Sequence, residues 1–191
     1  MAVKKVKKEL SINLCVDTRE KDTSYVKDVL DERLNKDGTC IKFTEVKTCK
    51  PLGCKISTGD LTIEIKTHNS DGEWTKTNLC IELKKNDLFS SLYTKASFDK
   101  LMREIDRAKE YGLDFVFVST HSIEDVIKDI NKIPRFKNSN AEIIFFENFM
   151  KLQEKLRDCG FLYVTTGKNK LAFGIRRLIK RYVNKNKLQY L

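Results

Sequence analysis

The run Cys80-Ile81-Glu82-Leu83-Lys84 sets a carboxylate and an amine two residues apart. Side chains alternate between the faces of a β-strand, so Ile81 and Leu83 point toward a core while Glu82 and Lys84 share the opposite surface. Taken alone, Glu-x-Lys reads as an exposed, salt-bridged strand face rather than a site. Its neighbourhood adds chemistry. Leu61, Ile63 and Ile65 are apolar at period two and lie across Asn69-Ser70-Asp71-Gly72 from the alternating run Leu79, Ile81 and Leu83, which predicts a β-hairpin. Folding about Asp71-Gly72 sets Asp60 opposite about residue 83, near Glu82 and Lys84. Two carboxylates at short range raise one another's pKa, and a divalent cation relieves the repulsion. Mg²⁺ takes oxygen ligands and keeps several waters, so two carboxylates and a substrate phosphate suffice to hold it. Lys84 is then placed to orient or help deprotonate a water attacking a phosphodiester.

Upstream, an apolar run from Ile12 ends in Val16-Asp17-Thr18-Arg19-Glu20, and Gly59-Asp60 opens the first strand of the hairpin. Downstream of Ile81-Glu82-Leu83-Lys84 comes Asp87-Leu88-Phe89-Ser90-Ser91. In this order the motifs resemble the nuclease domain of the XPF family, a branch of the PD-(D/E)xK superfamily that cuts branched DNA. The resemblance covers about residues 11–182. It implies a restriction-endonuclease-like core in which Asp60 and Glu82 are metal ligands and Asp17 joins them directly or through water. Lys84 would be the catalytic lysine. Arg19 and Glu20 would orient the site or contact phosphate, and Asp87 would brace the start of the following segment. Mg²⁺ is the implied cofactor, with Mn²⁺ able to substitute.

The sequence departs from the family pattern in three places. Leu83 stands where the family has the arginine of Glu-Arg-Lys, which leaves acid and lysine intact. Asp87 lies one residue closer to the glutamate. The segment between Asp60 and Glu82 is longer than in compact members, with His68 and Trp74 near its tip. The tandem helix-hairpin-helix module that eukaryotic and archaeal members usually add has no counterpart in the sequence, so branch recognition does not follow from the motifs.

These residues must be positioned by an α/β framework. Ile12 to Val16 reads as a buried strand, Tyr25, Val26, Val29, Leu30 and Leu34 as a helix ended by Lys36-Asp37-Gly38, and Ile41 and Phe43 as a second strand. Ser97 is placed to cap a helix with the stripe Phe98, Leu101, Met102, Ile105 and Ala108, closed near Gly112. Phe115 to Val118 is a continuous apolar strand. Strand, helix, strand from Cys80 to Ser119 predicts a βαβ crossover and hence a partly parallel sheet. A short helix over residues 122–130, a long helix after Asn140 stopped at Gly160, a strand over residues 161–164 and a last helix follow. The expected class is α/β, a mixed central β-sheet flanked by helices. The organisation read from the sequence is a basic arm, residues 1–10, before a single nuclease domain, residues 11–191.

Charge sharpens the reading. The formal net charge of the 191 residues is +10. Residues 1–9 contribute +3 and residues 159–191, with eight Lys or Arg and no acid, contribute +8, so the body sums to −1. Basic flanks around a near-neutral body suit a protein that grips phosphate. In the last helix Leu171, Ala172, Ile175, Leu178, Ile179 and Tyr182 form an apolar side, and Arg176, Arg177, Lys180 and Arg181 are expected opposite, toward nucleic acid. Lys100, Arg103 and Arg107, with Glu104 among them, are a second set of phosphate contacts or a solvated face with internal ion pairs. The last helix lacks Trp and follows a complete α/β pattern, which favours docking on the sheet over a membrane surface, and it could also serve a homodimer.

At 40% hydrophobic residues the composition excludes a disordered chain, and no apolar run approaches the roughly 18 residues of a spanning helix. The six cysteines include no Cys-x-x-Cys pair, so neither a zinc knuckle nor, without a secretory signal, a disulfide framework is expected. The sequence predicts a cytoplasmic, DNA-associated endonuclease for forks, flaps or junctions in recombination, repair or replication, in a small Lys-rich chain that suits a phage or mobile element. Two alternatives are a non-catalytic nucleic-acid-binding module of the same fold and a restriction-type nuclease cutting duplex DNA.

Overall fold

The computed structural model describes residues 10–17, 24–30, 41–48, 59–67, 73–136 and 139–188. The chain divides into two compact units, Met1–Thr77 with Lys170–Leu191, and Asn78–Asn169.

In the first unit the apolar run near the N-terminus is strand β1 (Leu10–Val16). It is buried on both faces, and both its edges are paired: β2 (Ile41–Thr48) runs parallel to it and β3 (Leu61–Thr67) antiparallel. The β1–β2 register slips by one residue between Ile12 and Asn13. The fully buried Asn13 meets this irregularity by accepting a hydrogen bond from the Thr44 hydroxyl at 2.8 Å. β3 turns back into the two-residue strand β4 (Thr75–Lys76), with Ile65 opposite Thr75. Helix α1 (Ser24–Val29) buries Tyr25, Val26 and Val29. The C-terminal helix, labelled α6 because five precede it, spans Leu171–Lys185 and packs against α1. The Leu34 and Lys36-Asp37-Gly38 end expected for α1, the Asn69–Gly72 turn and His68 lie outside the described residues.

The second unit holds three parallel strands, β5 (Leu79–Lys84), β6 (Asp114–Ser119) and β7 (Leu162–Thr165), in that order. The βαβ crossover is borne out: α3 (Lys95–Glu110) connects β5 to its parallel neighbour β6. Its cap is Thr94 rather than Ser97, which falls inside the first turn. The chain leaves α3 through Gly112, whose φ of +63° is a left-handed conformation that side chains with a Cβ resist. The small-residue stretch after Asp87 is itself a helix, α2 (Leu88–Tyr93). Helix α4 (Ile123–Lys132) begins with a capping box in which Ser122 and Asp125 satisfy one another's backbone donors. Helix α5 (Ala141–Asp158) buries Phe145, Phe149, Leu152 and Leu156. The Asn148 amide of α5 donates to the Leu92 carbonyl at 2.7 Å, satisfying an acceptor that the end of α2 leaves open.

The expected class, α/β with strands of mixed direction flanked by helices, is the one observed. Among the described residues no helix is long and apolar enough to cross a membrane.

Candidate catalytic site

The residues singled out for chemistry fall at strand ends in both units. In the second unit, Ile81 and Leu83 pack into the core as the alternation requires, and Glu82 and Lys84 take the other face. That face is covered as well. Glu82 is only 7% exposed, and it sits in register with Phe117 of β6, a strand buried from Phe115 onward. The carboxylate is held by the Lys84 ammonium, Nζ to Oε1 at 2.8 Å, and the same ammonium lies 3.5 Å from Oδ2 of Asp87. Asp87 occupies the N-cap position of α2 without capping it through its side chain, so its carboxylate is turned to Lys84 instead.

Burial pushes the Glu82 carboxyl above its ordinary value of 4.5. Lys84 pulls it back by charge and hydrogen bond, while Glu104 and Asp87 add to the upward push. Desolvation wins, because taking a carboxylate out of water costs several kcal/mol and one ammonium shared between two acids returns only part of it. This cluster is therefore short of positive charge. Glu104 of α3, which acts on Glu82 through its charge, is itself mostly buried and lies 3.8 Å from Lys100 and 3.9 Å from Arg107.

In the first unit, Asp17 immediately follows β1 and is 4% exposed, and Asp60 immediately precedes β3. Gly59 reaches Asp60 with φ of +81°, which explains glycine before the acid. The Asp17 backbone N–H donates to the Asp60 carbonyl at 2.8 Å, continuing the β1–β3 ladder in which Val16 faces Leu61. Two motifs more than 40 residues apart are thus brought side by side. Arg19 and Glu20 lie outside the described residues.

Among the described residues no three His, Cys, Asp or Glu side chains are grouped so as to hold a metal ion by themselves. The donors that Asp17, Asp60 and Glu82 offer are hard carboxylate oxygens, the type Mg²⁺ takes, and that ion is commonly held by one or two carboxylates with waters and substrate phosphate. Each of these donors is chemically of the type Mg²⁺ takes. Among the described residues Cys15 and Cys80 are buried strand thiols, and Cys159 lies beyond the end of α5.

The basic residues divide differently from the expectation. Arg177 and Arg181 are exposed on α6, but Arg176 and Lys180 are on its buried face, Arg176 at 2% exposure. The Arg176 guanidinium donates to the Val29 carbonyl at the end of α1 and lies 4.4 Å from the centre of the Phe43 ring. Its role in this structure is to fasten α6 to α1 and β2. On α3, Lys100, Arg103 and Arg107 lie on one side, and two of the three are drawn to Glu104.

A feature the sequence reading did not single out lies beside Glu82 and Lys84. A cavity of about 180 Å³ opens at the C-terminal end of β5, lined by Lys85, Asn86, Phe89, His121 and Asp129 among others. Thr120 ties its floor to the strand end, donating its backbone N–H to the Lys84 carbonyl at 3.0 Å and its hydroxyl to the Lys85 carbonyl at 3.2 Å. The available signal was positional: Thr120 and His121 follow the end of a parallel strand, where open α/β sheets collect their ligands.

No family model and no curated protein matches the chain. Among solved structures it is similar to XPF from Aeropyrum pernix, with 17% sequence identity and a TM-score of 0.47 over 92% of this chain and 68% of that one. It is also similar to XPF from Aeropyrum pernix in complex with DNA, with 16% identity and a TM-score of 0.46 over 92% of this chain and 64% of that one. The chain spans about two thirds of the length of these structures.

Proposed function

We propose that this protein is a Mg²⁺-dependent endonuclease that hydrolyses phosphodiester bonds of branched or structured DNA, residues 11–191 acting as one nuclease domain. The observation that carries the reading is the buried Glu82, its carboxyl pushed up by burial and only partly compensated by Lys84 at 2.8 Å. A site built this way gains from a cation and from a phosphate that brings one. Asp17, Asp60 and Glu82 are assigned as the carboxylates that bind Mg²⁺, with Mn²⁺ as a substitute, on the strength of the motif order. The ion, when bound, stabilises the charge that develops on the phosphate. Lys84 orients the attacking water or a phosphate oxygen through Nζ and offsets the charge of Glu82. Asp87, 3.5 Å from the same ammonium, helps fix the Lys84 side chain. Arg19 and Glu20 are assigned to orienting the substrate.

The test is incubation of the purified protein with labelled duplex, single-stranded, flapped and four-way DNA, with Mg²⁺ or EDTA, beside Glu82→Ala. Cleavage confined to the Mg²⁺ arms and lost in the variant is expected. Cleavage that survives both EDTA and the substitution overturns the metal assignment, and binding without cleavage under any divalent ion establishes the non-catalytic module instead.

A homodimer is part of the proposal, and it attaches to α5 rather than to α6. Ile143, Phe146 and Met150 are exposed along α5 with Glu142, Glu147, Lys151 and Glu154 beside them, an apolar strip with a polar rim. Phe146→Glu is expected to convert the dimer to monomer in light scattering.

A further inference from the structure

The exposed side of α6 combines charge with an aromatic ring. Phe173 is 51% exposed, and Arg177 and Arg181 follow it at the four-residue spacing that stacks side chains along one side of a helix. Lys170 precedes the same side by one turn and is also exposed. The Arg177 guanidinium lies 6.0 Å from the centre of the Phe173 ring. Several basic side chains on other helices are matched by acids on their own or a neighbouring helix: Lys100 and Arg107 by Glu104, Lys132 by Asp129, and Lys155 by Asp106. Residues 159–191 contain no acid at all, so the α6 stripe has no such match within its own segment.

We infer that this stripe binds single-stranded DNA, with an unpaired base stacked on Phe173 and the flanking phosphates on Arg177 and Arg181. The chemistry selects that occupant. An array of cations in a segment without acids attracts a polyanion. A duplex keeps its bases stacked on one another, whereas an unpaired base offers a π-face that an exposed ring can take up without regard to sequence. From Phe173 to Arg181 the helix rises about 12 Å, the reach of a few nucleotides. Arg177, over the Phe173 ring at 6.0 Å from its centre, serves as a cation beside the aromatic system and as a donor to phosphate. Arg176 and Lys180, turned inward, hold the helix and take no part. The inference deepens the proposed nuclease reading by naming the part of a branched substrate, its single-stranded arm, that this surface would hold.

The experiment measures binding of the full chain to a fluorescent 20-nucleotide oligothymidylate and to a 20-base-pair duplex by anisotropy in EDTA, so that cleavage plays no part. Phe173→Ala is expected to weaken single-strand binding about tenfold, within the range of stacking losses, and to change duplex binding by less than about twofold. Phe173→Trp is expected to retain single-strand affinity. Arg177→Ala and Arg181→Ala are each expected to reduce the salt dependence of single-strand binding by about 0.7 in the logarithmic slope. Equal affinity of wild type and Phe173→Ala for the single strand, or equal losses on both DNAs, overturns the inference. So does a Phe173→Ala variant that is monomeric where the wild type is dimeric, because a second copy then covers this side. Because Phe173 is exposed, the variant is expected to melt with the wild type. If Phe173→Ala loses single-strand binding while no DNA is cleaved under any metal, the nuclease reading falls and this one stands. If it binds normally while Glu82→Ala abolishes cleavage, the reverse holds.

Discussion

At the scale of single residues the governing fact is a carboxylate kept in an environment that disfavours its charge. The folded-state pKa of Glu82 lies above its ordinary value of 4.5, so between the two values the folded protein binds more protons than the unfolded one. Stability from this group is therefore full at acidic pH and declines as pH rises through that window. Glu82→Gln removes the titration. At neutral pH it is expected to be more stable than wild type by about 1 kcal/mol, a gain typical of relieving a functional site, and the advantage should vanish as the pH falls toward 4.5. Melting curves across pH check this, and an advantage that grows toward acid would contradict the assignment. Activity should move the other way. Lys84→Ala is expected to cut the cleavage rate by about 10²–10³, the usual loss of a preorganised donor to developing charge, with little change in DNA affinity.

At the scale of elements, α6 shows how a long side chain changes which part of a helix counts as buried. Leu171, Ile175, Ile179 and Val183 form its apolar seam, and Arg176 and Lys180 each directly follow a seam residue. Their aliphatic stems can lie along apolar surface while the polar heads seek partners, so the buried arc widens to include them. Arg176→Ala is expected to cost about 2–4 kcal/mol, since it leaves the Val29 carbonyl without this donor and removes the cation from the Phe43 ring. Arg181→Ala, on the exposed side, should stay within about 0.5 kcal/mol of wild type. Urea unfolding of the two variants separates an anchoring arginine from a ligand-facing one. The same contrast holds between β5 and β6: both read as strands from their apolar content, but only the pairing of Glu82 with Phe117 on a covered face explains why the acid is desolvated.

At the scale of the whole molecule, charge and metal binding give separable signals. Ends totalling +11 flank a body of −1, and the proposed metal carboxylates all lie in that body. Removal of residues 1–9 is expected to weaken all DNA binding alike and to flatten its salt dependence by about 0.9 per lost duplex phosphate contact, while leaving the metal requirement unchanged. Mg²⁺ should raise the melting temperature of the wild type, because a ligand that binds only the folded state stabilises it, by about 2.7 kcal/mol at a hundredfold excess over Kd. The Asp60→Asn and Glu82→Gln variants should show little of this effect. A Mg²⁺ response equal in wild type and both variants would remove these carboxylates from the metal site.

The sequence by itself determined the elements whose signal is local. A short, mostly apolar run gave β1, period-two alternation gave β3 and β5, and apolar residues at helical spacing between two strand patterns gave the β5–α3–β6 crossover. The order of Asp17, Gly59-Asp60, Glu82-x-Lys84 and Asp87 along the chain suggested the chemistry before any coordinates. Local periodicity reports which side chains share a face, but not what covers that face. Only the tertiary structure decided that Glu82 is buried and that Lys84 is shared with Asp87. It also decided that Glu104 adds its charge to the same carboxylate, that Asp17 and Asp60 meet through a strand ladder, and that Arg176 and Lys180 point inward. Each of these depends on partners distant in sequence, and desolvation, the largest influence on Glu82, is a property of everything packed around a group rather than of the group's own neighbours in the chain.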